Sequence, residues 1–303
     1  MAVSPRKPRN VDHLVLPVTT LELARERLSR LGFTVAPDAV HPFGTENACV
    51  FFANGSYLEP LAVHRRETCE AEALKGNVFV ARDQAFRFRR GEEGFSALVF
   101  GTQDADADHK LFRKLGISAG RQLKFSRPFK TPEGVEKTAS FKLAFAADLR
   151  APDSFLFTCE RINPPKVDRT ALESHENGAA GIAEIAAGEP NPSDFQYLLQ
   201  EVINQRNVNA HSFGIELAAG NANIAAYGAA GLKAWYGIES GCHGRGLRLR
   251  AFSVAVRDLT VTEKLLKKNK VASRRIAHRL VVPHAPGQGC VIAFEELGRE
   301  RGQ

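Results

Sequence analysis

Two ionisable side chains lie within runs of residues that otherwise have the composition of buried strands. His13 falls in the apolar run 11–18, and Glu59 falls in the run 57–63. A neutral imidazole is a ligand for Mn, Fe, Ni or Zn ions, and a carboxylate is costly to bury unless it binds a cation or another partner. There are simpler alternatives for both residues. His13 could be a hydrogen-bonded histidine on a buried strand, and Glu59 could pair with a nearby arginine or face outwards. The sequence therefore indicates two candidate ligands and leaves simpler structural roles open.

A second polar group lies between these two residues, in the segment His-Pro-Phe-Gly-Thr-Glu-Asn at positions 41–47. A histidine beside a bound carbonyl compound can act as a general base or acid, so His41 is a candidate catalytic residue. Thr45 and Asn47 are candidates for orienting substrate oxygens by hydrogen bonds. The same composition is also typical of a turn, so a purely structural role for the segment is an alternative.

The elements that must position these side chains belong to a unit that occurs four times along the chain. Each copy has a short apolar strand, a capping residue, an amphipathic helix, a residue that ends the helix, and further strands. In the first copy Thr19 and Thr20 are capping candidates, four apolar residues of 21–31 share one helical face, and Gly32 supplies the stop. The copies begin near residues 12, 95, 182 and 251.

The strands that complete each unit are predicted to be antiparallel. In the first unit the dipeptide Asn54-Gly55 separates two apolar runs, which is a strong hairpin signal. The chain is thus predicted to be α+β. The Pro-containing stretch 163–177 is predicted to be a linker between an N-terminal half at 10–162 and a C-terminal half at 178–298.

Composition limits the classes of function. The chain has 303 residues, of which 44% are hydrophobic and 25% charged, and a formal net charge of +7. There is no apolar run long enough to cross a membrane, no secretory signal, no nucleotide-binding loop and no nucleic-acid module. These absences, together with five cysteines in no paired spacing, predict a cytoplasmic protein. Its expected partner is a small molecule, and the net positive charge of the chain would suit an anionic one. A homodimer is left open.

The order of several motifs resembles a known family. Together they are similar to the glyoxalase-like domain proteins of the vicinal oxygen chelate superfamily, which includes glyoxalase I, bleomycin resistance proteins and extradiol dioxygenases. The matching segments are Asp-His-Leu-Val-Leu at 12–16, His-Pro-Phe-Gly-Thr-Glu-Asn at 41–47, Tyr-Leu-Glu-Pro-Leu at 57–61, His-Glu-Asn-Gly-Ala at 175–179, and 230–237, which ends in Trp-Tyr-Gly.

The resemblance implies an architecture and a metal site. Four βαβββ-type modules are expected to pair into two cup-shaped mixed sheets, with the first and last strand of each module pointing one ligand into a cup. The residues that match those positions in the first half are His13, Glu59 and Glu160, which would hold one divalent metal (Mn, Fe, Ni or Zn). The fourth position falls near Ser96, a poor ligand that is expected to contact substrate instead.

The second half matches the ligand pattern less well, because its first strands offer Glu184 and Ser253 and its last strand offers Glu295 or Glu296. The second cup is therefore expected to be degenerate. The resemblance implies a metal-assisted lyase, isomerase or dioxygenase that acts on a small vicinal-oxygen or α-keto compound. The alternative is a non-catalytic protein of the same fold that binds or sequesters a small molecule, as resistance proteins of the superfamily do.

Overall fold

The computed structural model describes residues 7–130, 136–163, 168–239 and 244–298. The first half of the chain forms one mixed sheet of nine strands with four helices. In chain order these elements are β1 (Val11–Pro17), α1 (Leu21–Arg30), β2 (Ala39–Val40), β3 (Thr45–Asn47), β4 (Val50–Phe51), β5 (Tyr57–Val63), α2 (Arg66–Leu74), α3 (Val78–Arg90), β6 (Ala97–Gly101), α4 (Ala105–Lys114), β7 (Leu123–Lys130), β8 (Glu136–Ala146) and β9 (Phe155–Arg161).

The second half forms a sheet of eight strands with three α-helices and a short 3-10 turn (Pro192–Phe195) that leads into the first of them. Its elements are β10 (Ala179–Gly188), α5 (Gln196–Ile203), β11 (Asn209–His211), β12 (Gly214–Ala218), β13 (Asn223–Tyr227), α6 (Ala229–Tyr236), β14 (Arg248–Val256), α7 (Leu259–Lys268), β15 (Arg274–Ile276), β16 (Arg279–Val282) and β17 (Val291–Glu296).

Both sheets have the same topology. The strand orders are β2-β3-β5-β1-β6-β9-β8-β7 and β11-β12-β13-β10-β14-β17-β16-β15, with β4 paired to β5. In every module the first strand pairs in parallel with the last, and the two modules of a sheet meet through an antiparallel pair of first strands. This confirms the expected α+β fold of four βαβββ-type modules in two cup-shaped mixed sheets.

Local sequence explains where the module helices begin and end. The side chains of Thr20, Asp104 and Asp258 each accept a hydrogen bond from a backbone N–H in the first turn of the helix that follows. Twelve residues after each cap the chain turns through a positive φ, which Gly32 and Gly116 adopt without a side-chain penalty. The cap predicted at Thr20 and the stop predicted at Gly32 are therefore used.

The two sheets share one core. One face of each sheet contributes to a single hydrophobic cluster that contains Leu14 and Phe100 from the first half and Ile185, Phe252 and Phe294 from the second. The opposite face of the first sheet packs a second cluster that includes Phe79 and Val80 of α3. The stretch 67–93 thus forms most of α2 and α3 and covers the first cup.

The predicted linker is described in part, since residues 164–167 lie outside the described residues. His175 accepts from the Thr34 N–H at Nδ1 (3.0 Å), and its Nε2 lies 2.9 Å from the Phe51 carbonyl oxygen. Asn177 donates to the Leu31 carbonyl and accepts from the Ala179 N–H. Both side chains therefore tie the first module to the start of β10 and do not reach the first cup. None of the described helices is both long and apolar enough to span a membrane.

Candidate functional site in the first cup

Glu59 is the centre of a buried polar cluster on the concave face of the first sheet. In the parallel pairing of β1 and β5, Glu59 lies opposite Val15, so its side chain reaches the same cup as that of His13. The Oε2 atom is 3.3 Å from His13 Nε2, and Oε1 accepts a hydrogen bond of 2.6 Å from Asn47 Nδ2. Although burial opposes ionisation, these contacts hold the pKa of Glu59 well below its usual value, at about 2.

His13 is held between two carboxylates. Its Nδ1 lies 2.6 Å from Asp12 Oδ1, and Asp12 in turn accepts from Arg161 at 2.8 Å. Burial disfavours a charged imidazole, but the hydrogen bonds to Asp12 and Glu59 outweigh it and raise the pKa of His13. The ring also stacks on Tyr57 with centroids 4.4 Å apart. His13 is therefore held in a fixed orientation in which both ring nitrogens contact carboxylates.

His41 has the opposite character. Its Nδ1 lies 2.9 Å from Thr45 Oγ1, and its Nε2 lies 3.3 Å from Asn47 Nδ2 and 3.6 Å from Glu59 Oε1. Burial lowers the pKa of His41 to about 4, and the positive charges of Arg127 and His13 act in the same direction against the pull of Glu59. At neutral pH this ring is uncharged. Because Asn47 donates towards Nε2, that nitrogen carries the lone pair.

The backbone between His41 and Thr45 is a tight turn that leads into β3. Its Gly44 has φ +95°, and a Cβ there would lie 2.7 Å from the Arg65 carbonyl oxygen. The segment 41–47 is thus both a turn and the source of three buried polar side chains. The two interpretations of this segment are not exclusive.

These side chains surround a cavity of about 40 Å³. Aromatic rings make most of its wall, and Arg127 of β7 adds a cationic group whose Nε is buried and has no hydrogen-bond partner. The lining residues are His13, His41, Phe43, Asn47, Tyr57, Glu59, Phe79, Phe125, Arg127, Phe141, Leu143, Phe157 and Cys159. The cavity therefore combines an uncharged histidine, a histidine held between two carboxylates and an unsatisfied guanidinium nitrogen.

Glu160 does not join this cluster, which corrects the ligand set expected from the sequence. Side chains of a strand alternate between its two faces, and on β9 it is Cys159 that lines the cavity. The Glu160 carboxylate accepts a hydrogen bond of 2.9 Å from the Ala105 N–H and so serves the first turn of α4.

Ser96 is also absent from this cavity and lines a separate one on the same face of the sheet. The helix caps and stops align the second module with the first. Asp104 lies 84 residues after Thr20, and Gly116 lies 84 residues after Gly32. The same offset places Ala97 at the position of His13. Val99 then corresponds to Val15, and its parallel partner Phe157 corresponds to Glu59. Neither Ala97 nor Phe157 can ligate a metal.

Comparison with known proteins identifies the family. A family model described as a glyoxalase-like domain matches residues 11–203. The chain belongs to the glyoxalase-like domain family. A search of curated proteins gave no significant match.

Solved structures share the fold of this glyoxalase-like chain at low sequence identity. A hypothetical protein from Staphylococcus aureus has 12% identity and a TM-score of 0.65, with 95% of this chain and 99% of that chain covered. A variant of 4-hydroxymandelate synthase from Streptomyces coelicolor has 12% identity and a TM-score of 0.62, with coverage of 98% and 95%. Homoprotocatechuate 2,3-dioxygenase from Arthrobacter globiformis has 13% identity and a TM-score of 0.52, with coverage of 97% and 81%. At these identities the likeness concerns the fold.

A metal is implied for this glyoxalase-like chain by the family resemblance, but the donor set does not fit it. Only His13 and Glu59 of the three expected ligands meet, and Glu59 already engages His13 and Asn47. Within residues 7–130, 136–163, 168–239 and 244–298, no group of three or more His, Cys, Asp or Glu side chains is arranged to hold a metal ion.

In the second cup of this glyoxalase-like chain, buried charged side chains pair with one another. Arg279 of β16 lies 3.0 Å from Glu184 and 2.6 Å from Glu295, and the Tyr236 hydroxyl donates to Glu184 at 2.8 Å. The carboxylates that the sequence offered as second-half ligands are thus ion-paired and hydrogen-bonded.

Sequence reasoning missed three charged residues of the first cup. Asp12 adjoins His13, and a carboxylate next to a candidate histidine was a usable signal. Arg127 shares the inward face of β7 with Phe125, since the two alternate with exposed Lys124 and Ser126. Arg161 gave no local signal, because its partner Asp12 is 149 residues away.

Proposed function

We propose that the first cup is the working site and that it binds a small α-keto or vicinal-oxygen anion and moves a proton on it, as a lyase or isomerase does. The observation that carries this proposal is the buried Nε of Arg127, which has no partner and faces the cluster of His13, His41 and Glu59. A buried guanidinium nitrogen without a partner is costly, and a carboxylate is the group that satisfies it best.

Each polar side chain has a role in this proposal. Arg127 binds the anionic end of the ligand. His13 Nε2, which contacts Glu59 at 3.3 Å in the empty cup, donates to the ligand oxygen on which negative charge develops. Glu59 favours the protonated form of His13 and raises its pKa. These contacts stabilise an enolate or oxyanion through residues of the protein.

His41 is the proton acceptor in this scheme, through the unprotonated Nε2. Arg127 helps to keep the pKa of His41 low in the empty cup. An anion bound to Arg127 offsets that charge and raises the pKa of His41 towards neutrality, so the base becomes effective only when the ligand is present.

Hydrogen–deuterium exchange next to a carbonyl tests this proposal without knowledge of the natural product. The protein in D₂O is expected to accelerate exchange of the pyruvate or phenylpyruvate α-protons above the buffer rate. His41→Gln is expected to remove that acceleration, and Arg127→Gln to weaken binding of the keto acid. The control is Lys124→Gln, an exposed cation on the same strand. Exchange at the buffer rate with every keto acid of a panel would overturn the catalytic role.

Non-catalytic binding is the alternative, and the aromatic wall of the cavity favours it. Rings such as Phe43 and Phe125 provide shape recognition without chemistry. A binding protein would take up the same anions with the same dependence on Arg127 but would leave exchange unchanged.

The divalent metal (Mn, Fe, Ni or Zn) implied by the resemblance remains a separate hypothesis, and no step above depends on it. Elemental analysis of protein purified without a His tag tests it, beside the double variant His13→Ala/Glu59→Ala. A near-stoichiometric metal that is lost in the variant would replace the proton-transfer scheme with a metal site. The scheme proposed here predicts no such metal and no loss of keto-acid binding with a chelator.

A further inference from the structure

The first cup contains a second cavity, one step further along the same strands. Val15, Leu61 and Phe155 line it, and each lies two residues along its strand from a residue of the first cavity. Two residues of a strand span about 7 Å, so the two cavities lie roughly that far apart. The second cavity holds about 10 Å³, enough for one small polar group.

Only one side chain lines both cavities. Phe79 of α3 does so, and its ring meets the edge of Phe157 with centroids 6.1 Å apart. The Phe79 ring therefore separates the two cavities. Phe79 belongs to the covering helices and not to the sheet.

The second cavity is lined by Asp83, one carboxylate oxygen of which has no hydrogen-bond donor. Asp83 is 6% exposed, and its Oδ2 accepts from Arg87 Nε at 2.9 Å. Its Oδ1 is buried and has no hydrogen-bond partner. Arg87 is fixed independently, because it also donates to the carbonyls of Val18 and Leu61. A buried acceptor without a donor is a costly feature that a ligand can relieve.

We propose that Asp83 is a binding residue for a hydroxyl group at the far end of the ligand whose anionic end lies at Arg127. The inference rests on the proposed binding function of the first cup and adds the class of ligand: a carboxylate with a hydroxyl about 7 Å away. A neutral donor fits better than an ammonium, since Arg87 already pairs with the same carboxylate. Ser96 also lines this cavity.

Three aromatic carboxylates, one of them unsubstituted and two para-substituted, serve as probes, with dissociation constants from calorimetry. They are benzoate, 4-ethylbenzoate and 4-(hydroxymethyl)benzoate, of which the last two differ by a methyl and a hydroxyl. Wild-type protein is expected to bind the hydroxymethyl compound at least about tenfold more tightly than the ethyl compound, since a hydrogen bond to a buried charge has that worth.

Two variants locate the effect. Asp83→Asn is expected to reduce the preference several-fold and to leave benzoate binding unchanged, because a neutral acceptor forms a weaker hydrogen bond. Ser96→Val fills the cavity while the Asp83–Arg87 pair stays intact, so both substituted probes are expected to lose affinity relative to benzoate. If Asp83→Asn does not fold, as judged by thermal unfolding, Ser96→Val alone carries the test.

The outcomes separate this inference from the proposed function. Benzoate that binds in an Arg127-dependent way, with no gain from the hydroxyl, overturns the role of Asp83 and leaves a cavity for water. If none of the three probes binds, or if Arg127→Gln changes no affinity, the proposed function fails first.

Discussion

The character of each residue in the first cup follows from its neighbours more than from its type. His13 and His41 are both buried and both contact Glu59, yet the pKa of one is raised and that of the other is lowered to about 4. The difference is Asp12, which hydrogen-bonds His13 alone, while His41 faces Thr45 and the charge of Arg127. Two histidines of one cluster therefore differ in how readily they bind a proton.

The low pKa of His41 predicts a change of stability with pH. Above pH 6.5 the ring is neutral in both states, so its contribution is fully present. As the pH falls from 6.5 to about 4, His41 binds a proton in the unfolded chain but not in the folded protein. The free energy of unfolding therefore falls by up to about 3 kcal/mol. His41→Gln is expected to lose that part of the slope in urea titrations from pH 7 to 4, measured on chelator-treated protein.

A slope of equal size in the variant would contradict the assignment. His13 acts in the opposite direction, because a raised pKa contributes stability that is lost as the pH rises above 6.5. The two histidines are therefore distinguished by the sign of the change, with His41→Gln affecting acid pH and not alkaline pH.

Glu160→Gln tests whether that residue serves the helix or the cup. The carboxylate accepts from the Ala105 N–H at the start of α4, so its neutral replacement is expected to lower stability by about 0.5–1 kcal/mol. Keto-acid binding in the cup is expected to stay unchanged. Loss of binding at unchanged stability would return Glu160 to the site.

At the scale of elements, the strand register decides which candidates meet. The sequence places Glu59 and Glu160 in similar apolar runs, but β5 directs Glu59 into the cup and β9 directs Cys159 there instead. A shift of one residue moves a side chain to the other face of a sheet, and an apolar run that is buried on both faces carries no alternation to reveal it. This is why the sequence alone did not show that Glu160 lies on the other face of the sheet.

The turn that delivers His41 and Thr45 to the cup depends on Gly44. With φ +95° and no room for a Cβ beside the Arg65 carbonyl, Gly44→Ala is expected to destabilise the protein by more than about 1 kcal/mol. The same change is expected to weaken keto-acid binding, because it displaces His41. Gly55→Ala is the matched control, since Gly55 also has a positive φ but open space around it. Equal loss of binding in both variants would deny Gly44 its positioning role.

At the scale of the whole molecule, the two sheets are not independent. Their convex faces share one hydrophobic cluster, in which Leu14 and Phe100 belong with Ile185 and Phe252. The N-terminal segment is also tied to the second half, since the Arg9 N–H donates to the Ile203 carbonyl and the Asn221 side chain accepts from the Val11 N–H. Either half alone would expose much of that core.

One cooperative unfolding transition is therefore expected for the whole chain, with fluorescence of Trp235 in the second half and far-ultraviolet circular dichroism giving the same midpoint. A fragment of residues 7–163 is expected to lack a cooperative transition by calorimetry, because its share of the common core faces water. Two separate transitions, or a fragment that unfolds cooperatively, would show that the halves are autonomous.

The sequence by itself determined the repeated βαβββ unit, its caps and stops, and the pair formed by His13 and Glu59. Those features are local, since a capping side chain acts within one turn of its helix and the apolar patterns extend over a few residues. Only the tertiary structure decided that Arg127 faces the cup and that Asp12 and Arg161 fix His13. It also placed Glu160 outside the cup and paired Arg279 with Glu184 in the second cup. These contacts join residues far apart in the chain, and the register and curvature of the sheets that bring them together are set by packing of the whole molecule.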